Sequence, residues 1–108
     1  MGAWILVIVA GILEVIMALS LKESQGFSRP WWTVSFVVFA IASFSLLAIG
    51  LKSLPVGSAY AVWTGVGAAG TALIGMVILG ESRDAMRLVA IALIVSGVVL
   101  LQITGGGH

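Results

Sequence analysis

The chain alternates four long apolar stretches with three short polar joints. The first stretch, Ala3–Leu21, closes at Lys22-Glu23, and the second, Trp31–Leu51, closes at Lys52. The third runs from Val56 to Leu79 and closes at Gly80-Glu81, and the fourth runs from Ala85 to Thr104 with one early basic residue, Arg87. Each is about 20 residues or slightly more, the length a helix needs to cross a bilayer. Lipid offers the backbone no hydrogen-bond partners, so helices are predicted even where composition favours strands, as in Val34–Ile41. The pattern predicts an all-α membrane protein with four transmembrane helices per chain, as one domain over residues 1–108. The joints, residues 22–30, 52–55 and 80–84, leave nothing from which to build a soluble domain.

Composition agrees with lipid as the solvent. The chain is 61% hydrophobic and 8% charged, against about 25% charged residues in a soluble domain. A net charge of +1 leaves no footprint for nucleic acid. There is no cysteine, and the single histidine is the last residue, His108. Disulfides, thiolate nucleophiles and cysteine-based metal sites are therefore excluded, and neither a metal nor a cofactor is expected. Without a nucleophile–base pair the chain is not expected to be an enzyme. The first stretch lacks a basic leader segment and carries an acid, so it reads as a span rather than a signal peptide. Trp4, Trp31 and Trp32 lie at predicted span ends and read as interfacial anchors. Gly105–His108 is expected to be a disordered tail.

The residue that does not fit the apolar pattern is Glu14, midway along the first stretch and the one acid within any of the four. An ionisable side chain near the bilayer centre costs at least about 2.5–3.5 kcal/mol on insertion scales and is a functional-site candidate. Other spans carry lesser irregularities. Ser43 is mid-span in the second stretch, where it ordinarily bonds a backbone carbonyl and otherwise could donate to Glu14. The third stretch holds Tyr60 and Trp63, three apart on one helix face, each with a polar hydrogen that needs a partner. Gly65, Gly67 and Gly70 follow, and they fit either close helix packing or a local bend. In the fourth stretch Ala92 and Ser96 form a small-xxx-small pair and Ala90 and Gly97 lie seven apart, which reads as a dimer seam.

With four spans, joints one and three share one side of the membrane, and that side carries Lys22, Arg29, Arg83 and Arg87. The opposite side carries Lys52 alone besides the amino terminus. This bias orients joints one and three toward the cytoplasm, with Arg87 able to snorkel from within a helix.

A lone membrane carboxylate holds a proton or a cation, and an arriving cation expels the proton. Competition of that kind describes an antiporter. Tyr60 and Trp63 could add cation–π attraction, and a planar guanidinium suits a carboxylate through two parallel hydrogen bonds. Four helices are too few to enclose such a site and also change its access, so a second, inverted chain is expected to complete it.

The chain resembles the small multidrug resistance family over essentially its whole length. The matching residues are Ala10-Gly11 with Glu14-Val15, Leu21-Lys22, Gly26-Phe27-Ser28-Arg29, Ser43-Phe44, Lys52–Gly57, the block Ala59–Ala68 and Gly80-Glu81. Within Ala59–Ala68, the wording Trp63-Thr64-Gly65 is similar to the guanidinium-exporter branch, whereas the multidrug branch usually reads Trp-Ser-Gly. The resemblance implies an antiparallel dimer of four-helix subunits in the cell (inner) membrane that exchanges protons for a small organic cation. It implies that Glu14 is the shared carboxylate and that Tyr60, Trp63 and Ser43 line or order the site. It further implies a bend in helix three near Gly65–Gly67 and a dimer seam on helix four.

Two positions depart from the guanidinium branch. Met17 stands three residues after Glu14 where that branch usually has tryptophan, and Leu100-Leu101-Gln102 replaces Gly-Leu-Lys. Methionine cannot donate to Glu14, and its flexibility suits bulkier cations such as quaternary ammonium compounds. The charge bias, with Ser43–Leu47, Asp84-Ala85 and Arg87, is similar to one subunit of the family's paired heterodimers. Two further readings stand beside the exporter. One is a non-transporting assembly subunit whose Glu14 pairs with a basic partner helix, and the other is a proton channel.

Overall fold

The computed structural model describes residues 2–105. It consists of four α-helices in chain order, α1 (Gly2–Glu23), α2 (Pro30–Gly50), α3 (Val56–Val77) and α4 (Ala85–Gly105). All four are long and apolar enough to cross a membrane. Strand-rich composition notwithstanding, Val34–Ile41 lies wholly inside α2. The third span ends two residues earlier than predicted, because Ile78 and Leu79 belong to the turn that follows. Of the expected tail, Gly105 closes α4, and the last three residues lie outside the described residues.

The helix ends follow from local chemistry. Pro30 occupies the first turn of α2, where its missing N–H costs nothing, and Pro55 immediately precedes α3. The joint between α1 and α2 is organised by Ser24, which is fully buried. Its hydroxyl donates to the Leu21 carbonyl (2.7 Å) and accepts from the Phe27 N–H (3.2 Å). Its own carbonyl accepts from the N–H groups of Ser28 and Arg29. The tightness of this turn puts three successive residues, Gln25, Gly26 and Phe27, at positive φ. That conformation is uncommon for residues with a Cβ. Phe27 is held there edge-on against Phe36 of α2, with ring centroids 5.6 Å apart.

α1 lies at the centre, packed most extensively on α2 and next on α3, while α4 packs chiefly on α3. The main core gathers Val7 and Ala10 of α1, Leu47 of α2, and Ala59, Val62 and Trp63 of α3. A smaller cluster of Ala69, Met76 and Ile91 joins α3 to α4. Trp4, read from sequence as an anchor, packs against the main core, because α1 is wedged between α2 and α3. Its Nε1 is buried with no hydrogen-bond partner among the described residues. Trp31, 84% exposed, does stand at a helix end as expected.

The assembly is a slab of 43 × 34 × 17 Å.

Candidate functional site

Glu14 sits between Ala10 and Gly11, one turn before it on the same face and both buried, and Ala18, one turn after it. The face is small, so α3 approaches closely. A Cβ placed on Gly11 would come within 2.7 Å of Val66 of α3. One turn further on, the Glu14 carboxylate rests on Gly67, where any Cβ would overlap its carboxyl group and meet its Cγ at 3.1 Å. Gly65 points elsewhere, onto Val98 of α4. The two glycines thus serve two different helix seams, and α3 runs through both as one continuous helix.

Glu14 Oε1 is buried and has no hydrogen-bond partner among the described residues. A buried polar atom left so is costly and calls for an explanation. The carboxylate borders a groove of about 440 Å³ between α1 and α3. From α1 the groove takes Glu14, Ala18 and Lys22, spaced four apart; from α3 it takes Thr64, Gly67, Ala68 and Thr71, spaced three and four apart. Its far end reaches Glu81 and Arg87 at the α3–α4 joint.

Of the two partners open to Ser43, the structure gives it the ordinary one, a backbone carbonyl: its hydroxyl donates to the Ala10 carbonyl at 2.6 Å, and not to Glu14. A hydroxyl has one proton, and this bond uses it. Its oxygen accepts the Trp63 Nε1–H at 3.0 Å. The chain of bonds Trp63–Ser43–Ala10 ties α3, α2 and α1 together in the dry interior, and Trp63 is only 4% exposed. Ala10 is four residues before Glu14, so its carbonyl also accepts the Glu14 backbone N–H in a regular helix. Ser43 therefore bears on Glu14 through the backbone of α1.

Trp63 is flanked by two rings, Tyr60 at 5.3 Å and Phe44 at 5.2 Å, both tilted. Tyr60 is 53% exposed and lies on the outer side of this row. Ser43, Tyr60, Trp63 and Met17 are not among the groove's lining residues; of the expected site, Glu14 and Gly67 are. On α4, Ala90, Ala92 and Ser96 are exposed and Gly97 is half-covered, while Ile91 is its buried side chain. Ser96 spends its hydroxyl on the Ala92 carbonyl at 2.7 Å.

This geometry, an unpaired carboxylate in a small-residue groove of a four-helix slab, is accompanied by a match to the family model described as Small Multidrug Resistance protein, over residues 2–94. The chain belongs to the small multidrug resistance family. It is 52% identical over 102 residues to a protein of Escherichia coli strain K12 named Guanidinium exporter, covering 94% of this chain and 97% of that one. Proteins of the same name from Yersinia pseudotuberculosis and Salmonella typhimurium are 50% and 43% identical, with the same coverage. As a family member with four spans it is a multi-pass protein of the inner membrane.

The residues that single-sequence reasoning missed are Thr64, Ala68, Thr71, Glu81 and the placement of Lys22 and Arg87 at the groove. A signal existed for the first three. Thr64, Gly67, Ala68 and Thr71 repeat at helical spacing and form a small, weakly polar stripe on an otherwise apolar helix.

Proposed function

We propose that this chain forms an antiporter that exports small organic cations of the guanidinium type in exchange for protons, with Glu14 as the carboxylate that both ligands share. The observation that carries the reading is the half-buried Glu14 carboxylate, whose buried Oε1 has no hydrogen-bond partner among the described residues and which borders a groove of about 440 Å³. A guanidinium offers such a group two parallel charge-assisted hydrogen bonds. The names of the Escherichia coli and Yersinia relatives point to the same cation.

In this reading Ser43, Trp63 and Tyr60 order the site rather than grip the cation directly. The Trp63–Ser43–Ala10 chain fixes the turn of α1 that presents Glu14. Gly67 leaves room for the carboxylate, and Gly65 and Gly67 are where α3 bends as access alternates. A second, inverted copy faces the 17 Å slab and closes the groove, with Ala90, Ala92, Ser96 and Gly97 of α4 at the seam. The four-to-one bias of basic residues favours one variation, a partner that is a similar chain of opposite orientation rather than an identical copy. Met17 favours another, acceptance of quaternary ammonium cations alongside guanidinium.

The test is guanidinium-triggered current from the purified chain in proteoliposomes, with Glu14→Gln as control. A current that Glu14→Gln abolishes is expected. Transport that persists in Glu14→Gln defeats the mechanism, and loss of assembly without any transport in the parent chain supports the assembly-subunit alternative. Proton leak without added cation would indicate the channel.

A further inference from the structure

The groove that holds Glu14 has a second carboxylate at its loop end. Glu81 is set there by the turn that ends α3. Gly80 takes a left-handed conformation (φ 69°), which returns the Glu81 N–H to the Gly75 carbonyl at 3.1 Å. The Glu81 side chain then lies over Gly75, whose missing Cβ makes the space: one placed there would come within 2.8 Å of the Glu81 Cδ. This carboxylate is occupied. Arg87 Nη2 donates to Glu81 Oε1 at 2.7 Å and to the Ala72 carbonyl at 3.3 Å. The neighbouring Met76 carbonyl is taken by Arg83.

We propose that Glu81 is a second cation-binding position at the loop end of the groove, and that the Arg87 guanidinium fills it as a tethered stand-in for a free guanidinium-type cation. The proposal rests on the export reading above and extends it to a staging position on the way to Glu14. Arg87 shows what the seat accepts. One nitrogen of its substituted guanidinium donates to one carboxylate and one carbonyl, two acceptors that a free guanidinium could use in the same way. A quaternary ammonium, having no N–H, cannot.

Charge gives the second argument. The charged side chains bordering the groove are Glu14, Glu81, Lys22 and Arg87, two of each sign. When Arg87 swings out, two carboxylates face one ammonium, and the groove is left short of one positive charge. A cation from the loop side restores the balance. The pair is exposed enough to exchange, with side chains 42% and 29% accessible for Glu81 and Arg87. Ion pairs with that access to water are weak. Arg87 is tethered beside the carboxylate, so a free cation must be supplied at a concentration that matches the tether's effective one to displace it.

The test is a titration of the full chain in bicelles with guanidinium chloride, following the 13C signals of the glutamate carboxyls. Equal concentrations of tetramethylammonium chloride serve as the control for charge and ionic strength. The expected result is a saturable shift at Glu81, in addition to that at Glu14, with guanidinium and none at Glu81 with tetramethylammonium. The Glu81 shift persists in Glu14→Gln, and Arg87→Gln moves its midpoint to a concentration lower by a factor on the order of ten. A Glu81 signal that stays still while Glu14 responds overturns the second position and leaves the export reading intact. Silence at Glu14 with a response at Glu81 overturns the export reading and the staging role with it, and leaves Glu81 as a cation seat only. Equal shifts with both salts overturn the guanidinium seat.

Discussion

The carboxylate of Glu14 lies on the bare backbone of Gly67, so closely that no side chain fits between them. One residue thus makes room for the charge of another, across the seam between α1 and α3. Gly67→Ala should therefore displace the Glu14 side chain into or out of the groove. Overpacking of this kind costs about 1–3 kcal/mol. The expected outcome is a folded, less stable protein whose guanidinium uptake falls tenfold or more. Uptake and unfolding measured on the same preparation check it; unchanged uptake would mean the carboxylate works from another rotamer.

The bonds from Trp63 to Ser43 and from Ser43 to Ala10 make a second prediction. Ser43→Ala leaves the buried Trp63 Nε1–H without an acceptor and the Ala10 carbonyl with one bond fewer. An orphaned buried donor costs about 1–3 kcal/mol. In a Trp63→Phe background the donor is absent and Ser43→Ala should cost less. A double-mutant cycle by denaturant unfolding in mild detergent reads the difference; strictly additive costs would break the network.

Met17 is one turn from Glu14 and does not border the groove. Met17→Trp supplies the indole that the guanidinium branch usually has there. Transport assays with guanidinium and a quaternary ammonium compound should show the ratio shifting toward guanidinium. A ratio that does not move would place substrate choice elsewhere, with Thr64 and Thr71 the next residues to vary.

Gly80 stands at φ 69°, and the Glu81 N–H bond to Gly75 depends on that turn. Gly80→Ala strains it, with a loss of about 1 kcal/mol. Thermal unfolding in micelles should report a small loss, with the fold retained. Gly57, which sits in the first turn of α3 with open space around it, is the control: Gly57→Ala should be neutral or mildly stabilising.

The spans were legible in the sequence because length and apolarity are summed over some twenty residues, and lipid leaves the backbone no alternative to a helix. Glu14 stood out because a charge inside a span is expensive wherever the span packs. The stripe Thr64, Gly67, Ala68 and Thr71 was also present at helical spacing. None of these depends on which helix lies next to which. Neighbours do, and only the tertiary structure decided them. Spacing along α2 could not tell whether Ser43 served Glu14 or a carbonyl, because its single proton goes to whatever acceptor α1 presents, and that is Ala10. Gly65 and Gly67 are two residues apart, so they diverge by more than half a turn and meet different helices, Gly65 meeting α4 and Gly67 meeting α1. By sequence Glu81 is a polar joint residue and Arg87 an early basic residue of the fourth span. They become part of the Glu14 groove because the end of α3 turns back on itself and carries them to it.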